Sequence, residues 1–254
     1  MADKTLGKSK FPFNKEKFVG FLEKYYLNGK IEGARIEIKN NEIITVFKNL
    51  SSDLRGYIRM TDFEFEDCEI GCYDTGRLLG MASILDKDVS ITVTYDNTGE
   101  SVISLMMKDA KGKKLNFAAS ELDIIEWDGK KAKVASYDVI VKMNQEIISD
   151  ILRANNALDK NPAITFVNKN DKFYIIFGYS QTNSNMIEFE LEPDVMDDTF
   201  KVMSFPSDYL KEILAINSKR FEEATLSISN KGIMNISFKD GETTSEYWLV
   251  KLQD

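Results

Sequence analysis

The chain has 254 residues, which at roughly 150 residues per domain is about two domains. Hydrophobic residues make up 43% and charged residues 29%, with only 4 Pro and 14 Gly; this excludes a collagenous, low-complexity or wholly disordered chain. A net charge of −8, from 33 Lys+Arg against 41 Asp+Glu, argues against a generally basic nucleic-acid binder and leaves room for a cationic patch on an acidic body.

Histidine is absent, so Ser-His and Cys-His catalysis, imidazole proton shuttles and His-ligated metals are all excluded. Cys68 and Cys72 are too few for a zinc quartet or a disulfide framework and read as small apolar fillers in a reducing compartment. The opening MADKTLGKSKFPF lacks the apolar core of a signal peptide, and no stretch approaches about 18 uninterrupted apolar residues. The expected location is the cytoplasm (the host cell's, for a viral protein), with no membrane partner.

In chain order, residues 14–47 open with Asn, then run through an amphipathic stretch, a polar break and two alternating strands around an Asn-rich turn. Residues 144–177 repeat that pattern about 130 residues later, with Ala34 opposite Ala163, Asn41 opposite Asn170 and Phe47 opposite Ile176. The strand FEFEDCEIGC then leads into a helix over about 73–86, capped by Asp74 or Thr75. In the second half TFKVMSF leads into PSDYLKEILAIN, opened by Pro206 and Ser207 with Asp208 in the first turn. Three strands follow each helix, over 89–95, 101–108 and 113–118, then over 221–228, 232–238 and 244–251. Each half thus reads strand, helix, antiparallel strands, helix, three antiparallel strands. Residues 119–136 read as a linker that is unusually apolar at Leu122, Ile124, Ile125 and Trp127; a last edge strand is the alternative.

Four segments carry a resemblance: KVMSFPSDYLKEIL, CYDTGRLLGMASIL, MNQEIISDILRANNAL and EYWLVKLQD. In order and spacing the chain resembles the sliding clamps of DNA replication, the PCNA type and more closely the trimeric clamps of T4-like bacteriophages. The resemblance implies an α+β fold of two repeated clamp-type domains, with antiparallel sheets outside and two helices per domain lining a ring. Its divisions are 1–119 for the first domain, 120–136 for the connecting linker and 137–254 for the second. It also implies a homotrimer around double-stranded DNA, held without sequence preference. DNA polymerase and a clamp loader ATPase are the implied partners; no cofactor and no enzymatic activity are implied.

On helical spacing Phe18, Phe21, Leu22 and Tyr25 share a buried face, as do Ile147, Ile151 and Ala154, and Leu210, Ile213 and Leu214. Lys17, Lys24, Arg77, Arg153 and Lys211 fall on polar helix faces, Lys219 and Arg220 lie just past the last helix, and Lys30, Lys87, Lys142 and Lys160 sit near helix ends. With the channel that the clamp resemblance implies, the expected DNA-facing set is Lys17, Lys24, Arg77, Lys142, Arg153, Lys211, Lys219 and Arg220; without it, such lysines read as ordinary solvated helix faces. The resemblance also implies a partner-peptide groove between linker and final strand, for which Ile124, Ile125 and Trp127 with Tyr247, Trp248, Leu249 and Val250 are the candidates; adjacent strand residues point to opposite faces, so only one of Trp248 and Leu249 can line it. Two other readings compete. The carboxylates Asp62, Glu64, Glu66, Asp67 and Glu69, or Asp194, Asp197 and Asp198, could bind Mg²⁺ or Ca²⁺ in an enzyme, although no phosphate loop or EF-hand is present. A two-domain β-rich phage structural or binding module is the other.

Overall fold

The computed structural model describes residues 9–96, 99, 101–125, 129–158, 161–180, 185–200 and 202–253. They divide into two compact units, one running to Phe47 and resuming over Tyr57–Lys131, the other formed by Lys48–Gly56 and the chain from Ala132.

The first unit contains β1 (Ser9–Asn14), α1 (Lys15–Tyr26), β2 (Ala34–Lys39), β3 (Glu42–Lys48), β4 (Leu54–Met60), β5 (Cys68–Cys72), α2 (Thr75–Ser83), β6 (Asp88–Tyr95), β7 (Val102–Asp109) and β8 (Lys114–Ala118). The last residue of β3 and the first residues of β4 fall in the second unit. One antiparallel sheet has the order β1-β6-β7-β8, and β2 pairs with β3 and β5. Local chemistry starts and stops the helices. The Asn14 side chain accepts from Lys17 N at 3.0 Å, and Leu27, at φ 48°, ends α1 in the left-handed region. Asp74 caps α2 by accepting from Arg77 N at 2.9 Å. Phe18, Phe21, Leu22 and Tyr25 form the buried stripe of α1, each contributing about 1.5–3 kcal/mol by leaving water. The two helices pack together, and the Tyr25 hydroxyl meets Thr75 Oγ1 at 2.9 Å at the start of α2.

The second unit contains β9 (Val139–Lys142), α3 (Gln145–Ala157), β10 (Ala163–Lys169), β11 (Lys172–Phe177), β12 (Ile187–Leu191), β13 (Val195–Met196), β14 (Val202–Pro206), α4 (Ser207–Asn217), β15 (Glu223–Ser229), β16 (Ile233–Asp240) and β17 (Thr243–Val250). One sheet has the order β12-β11-β10-β14 and the other runs β13-β9-β15-β16-β17. Asn144 caps α3 through Ile147 N. Again the helices pack as a pair: Asn155 Nδ2 donates to Ser207 O at 3.2 Å, tying α3 to the first residue of α4.

The repeat is real, but its offset is 130 residues at every anchor. Asn14 and Asn144 are both N-caps. The hairpin turns fall at Asn40–Asn41 and Asn170–Asp171, all four with φ between 54° and 61°, the left-handed pair that suits a two-residue hairpin. Ala34 therefore matches Ile164 and Phe47 matches Phe177, all buried, and the alignments to Ala163, Asn170 (with Asn41) and Ile176 are each one residue out. Along a strand that slip moves a side chain to the opposite face. Two further expectations change. Residues 61–67 do not continue the strand into Cys68: Phe63 and Phe65 are buried and Glu64 is exposed, yet the backbone there bonds across to the β2–β3 turn, through Phe63 N to Asn41 O at 2.9 Å. In α3 the buried residue is Ile148, with Ile147 half-buried. Pro206 and Ser207 do open α4, and the Ser207 hydroxyl donates to Asn161 O in the stretch between α3 and β10.

Candidate nucleic-acid interface and docking residues

The expected cations divide by what already holds them. On the first unit's helix pair, Lys17 donates to the Asp62 carboxylate at 3.0 Å and to its carbonyl at 2.9 Å. Arg77 pairs with Asp74 at 3.1 Å. Lys24 is half-buried in the last turn of α1. In the second unit Arg153 pairs with Asp150 one turn back, and Lys211 is half-buried on α4. Lys219 and Arg220 are exposed beyond α4, with Arg220 bound to Asp240 of β16 at 2.9 Å. Lys142 ends β9, and its ammonium meets Asp194 at 3.0 Å, which holds that carboxyl below its usual range. Neither Lys211 nor Lys219 has an ion pair among the described residues.

Other lysines are fixed at the end of α2. Lys15 Nζ donates to Ala82 O at 3.1 Å and to Leu85 O, and Lys113 Nζ to Ile84 O at 2.9 Å. Ammonium groups there satisfy the last carbonyls and the negative end of the helix dipole. The acidic residues are similarly occupied. Tyr95 donates to Glu66 at 2.8 Å, Asn40 N to Asp67 at 2.9 Å, and Thr199 N to Asp197 at 2.7 Å; Arg35 pairs with Glu69. Among the described residues no three Asp, Glu or Cys side chains converge where a metal ion could sit. Burial, with Glu66 beside it, pushes the Cys68 thiol up to about 12, so it stays protonated and unreactive near neutrality.

The expected docking residues separate by exposure. Tyr247 and Leu249 are fully buried and Trp248 is only 6% exposed. Adjacent strand residues do point to opposite faces, but β17 is covered on both. Tyr247 accepts from Asn217 Nδ2 at 3.1 Å, and Trp248 Nε1 donates to Tyr137 at 3.3 Å. Val250, at the strand's end, is exposed. In the linker Ser120 bridges back to β5, its N–H reaching Gly71 O at 2.9 Å. A Cβ on Gly71 would stand 2.2 Å from Ser120 O, so only glycine permits that approach. A single 3₁₀ turn, Leu122–Ile124, leaves Ile124 exposed while Ile125 turns back toward Gly71. Trp127 and Lys160 lie outside the described residues.

One apolar residue escaped the sequence reading. Leu50 is 108% exposed at the tip of the loop 49–53, in the second unit, where Val250 N donates to Asp53 O at 2.9 Å. The letters NLSSD read as an ordinary polar turn; the available signal was a lone Leu among turn-formers.

Two α+β units, each carrying a packed helix pair and antiparallel sheets, make up the fold of the PCNA-type sliding clamp. No protein-family model matches the sequence, and no curated protein matches it. Among solved structures, the chain superposes on the proliferating cellular nuclear antigen of Entamoeba histolytica with a TM-score of 0.72 at 14% identity, covering 98% of this chain and 100% of that one. Against A. fulgidus PCNA, solved with the C-terminal region of FEN-1 bound, the TM-score is 0.74 at 14% identity, covering 96% and 98%.

Proposed function

We propose that this chain is the subunit of a sliding clamp: a non-enzymatic ring that encircles duplex DNA and tethers the replicative polymerase and other partners. The observation that carries the reading is the end-to-end likeness to two PCNA structures, which takes in both units. In a closed ring retention is topological, so phosphate attraction can stay weak, in keeping with an acidic chain whose helix cations are largely paired. The expected DNA-facing residues on and just past the helices carry over on this reading: Lys17, Lys24, Arg77, Arg153, Lys211, Lys219 and Arg220; Lys142, at the end of β9 and paired with Asp194, is left out. The phage-type subclass, the clamp loader ATPase, the cytoplasmic location and the linker over 120–136 belong to the same proposal.

Ring closure needs a head-to-tail contact between unlike surfaces. Free sheet edges supply one: β8 ends the first unit's sheet and β12 ends a sheet of the second. Both are five residues long. Lys113 and Lys114 are exposed at the first, and Glu188, Glu190 and Glu192 at the second. Pairing β8 of one copy with β12 of the next extends both sheets and matches opposite charges. Three copies closing this way give the homotrimer.

Docking falls to the exposed apolar residues of the second unit, Leu50 and Val250. Their occupant is a short apolar and aromatic peptide from a replication protein; A. fulgidus PCNA has the C-terminal region of FEN-1 bound.

The test is retention on DNA. Loaded protein should stay on nicked circular plasmid through gel filtration and run off when the plasmid is linearised, and it should lengthen the products of its polymerase. Equal loss from both plasmids would rule out encirclement.

A further inference from the structure

We infer that Tyr209 is a positioning residue of the docking surface: from the first turn of α4 its hydroxyl holds the loop that presents Leu50. The inference rests on the docking role proposed for Leu50 and Val250. A fully exposed Leu has no packing to fix its own backbone, and a tip of this kind is ordinarily loose. Here hydrogen bonds replace packing, and they converge on Asn49. Its N–H donates to Leu54 O at 3.0 Å, its carbonyl accepts from Ser52 N at 3.1 Å, and its side-chain oxygen accepts from Leu54 N at 3.0 Å.

The side-chain nitrogen of Asn49 has three acceptors around it: Tyr209 Oη at 2.7 Å, Ser51 Oγ at 2.9 Å and a carboxylate oxygen of Asp53. An amide nitrogen carries two hydrogens, so the three compete. Ser51 and Asp53 travel with the loop. Tyr209 is the one acceptor of the three that belongs to a helix, so it converts a self-contained knot into an anchored one. Ser52 sits at φ 59°, a conformation that persists only where surrounding bonds enforce it. On the other side Asp53 O accepts from Val250 N. Leu50 and Val250 therefore hang on one anchored stretch of backbone. A loop ordered before the partner arrives spares the ordering entropy at binding.

Tyr209→Phe removes the hydroxyl alone and is the test; Asn49→Ala, which also deletes the side-chain oxygen that accepts from Leu54 N, is the positive control for a freed Leu54 amide. The probe is the fluorescently labelled C-terminal region of FEN-1, with amide hydrogen exchange measured in parallel. Both variants should exchange the Leu54 amide about tenfold faster or more, with the rest of α4 unchanged, and bind the peptide about three- to tenfold more weakly. Saturating peptide should restore the protection. Leu50→Ala should weaken binding further while leaving Leu54 exchange as it was. Unchanged Leu54 exchange in Tyr209→Phe overturns the positioning role, and so does unchanged affinity of Tyr209→Phe beside a weakened Leu50→Ala. If wild-type protein fails to bind, or Leu50→Ala and Val250→Ala bind as wild type does, the docking reading itself is wrong and this inference falls with it.

Discussion

A lysine on a polar helix face is a free charge only if nothing nearby has neutralised it. Five residues of the expected DNA-facing set, Lys17, Arg77, Lys142, Arg153 and Arg220, hold carboxylates. Such exposed pairs contribute about 0–1 kcal/mol to stability, and each must be broken or shared before a phosphate gains the full charge. Lys211 and Lys219, without ion pairs among the described residues, are the better phosphate ligands. We therefore expect Lys211→Glu with Lys219→Glu to flatten the log–log salt dependence of DNA binding by about 0.9 per lost contact. Lys142→Glu should leave that slope unchanged. Fluorescence anisotropy across a salt series measures it, and equal slopes for both variants would remove these two lysines from the DNA-facing set.

At the scale of the element, α2 carries a glycine with no packing reason. Gly80 is exposed, and a Cβ there would meet nothing within 4 Å. Helical φ suits alanine, so Gly80→Ala should stabilise the protein by about 0.5–1 kcal/mol through the unfolded chain's entropy. Urea denaturation would register it as a higher midpoint at constant slope. A destabilised variant would mean that the backbone at Gly80 is needed bare. The elements that were legible in sequence are those written by local chemistry: Asn14, Asp74 and Asn144 cap their helices through their own side chains, so spacing alone exposes them. Residues 61–67 show the limit. Phe63 and Phe65 alternate with acids as a strand would, but the backbone partner of Phe63 lies in the β2–β3 turn, which no local pattern encodes. The burial of the final strand was illegible for a related reason. Alternation along EYWLV tells which side chains oppose one another, whereas burial of Tyr247 and Leu249 depends on what covers each face. Leu50 was hidden by the reverse, a polar turn sequence made rigid by contacts distant in the chain.

For the whole molecule, the proposed ring makes a charge argument sharp. Reversing Lys114 to Glu sets it against the acids of β12 in the neighbouring copy and should weaken assembly by about tenfold, 1.4 kcal/mol. Glu188→Lys in the same chain should recover much of the loss. Light scattering coupled to gel filtration over a concentration series reads the trimer fraction directly. An unaltered trimer in Lys114→Glu would place the joint on other strands, and a wild-type monomer at all concentrations would remove the ring.

Residues 48–56 have one further consequence. They leave the first unit, join the second and return, so the chain passes from one unit to the other three times: after Phe47, after Gly56 and after Lys131. The connector is therefore not the sole tie between the halves. A trypsin nick at the exposed Lys130 or Lys131 would cut the polypeptide in two and yet free neither piece, because the amino-terminal fragment would still own a segment seated in the carboxy-terminal one. The same threading makes a gene split at that point a poor way to obtain the second unit. A fragment starting at Ala132 would lack Asp53 and the bond it gives Val250, and the final strand would be left with a raw edge open to self-association.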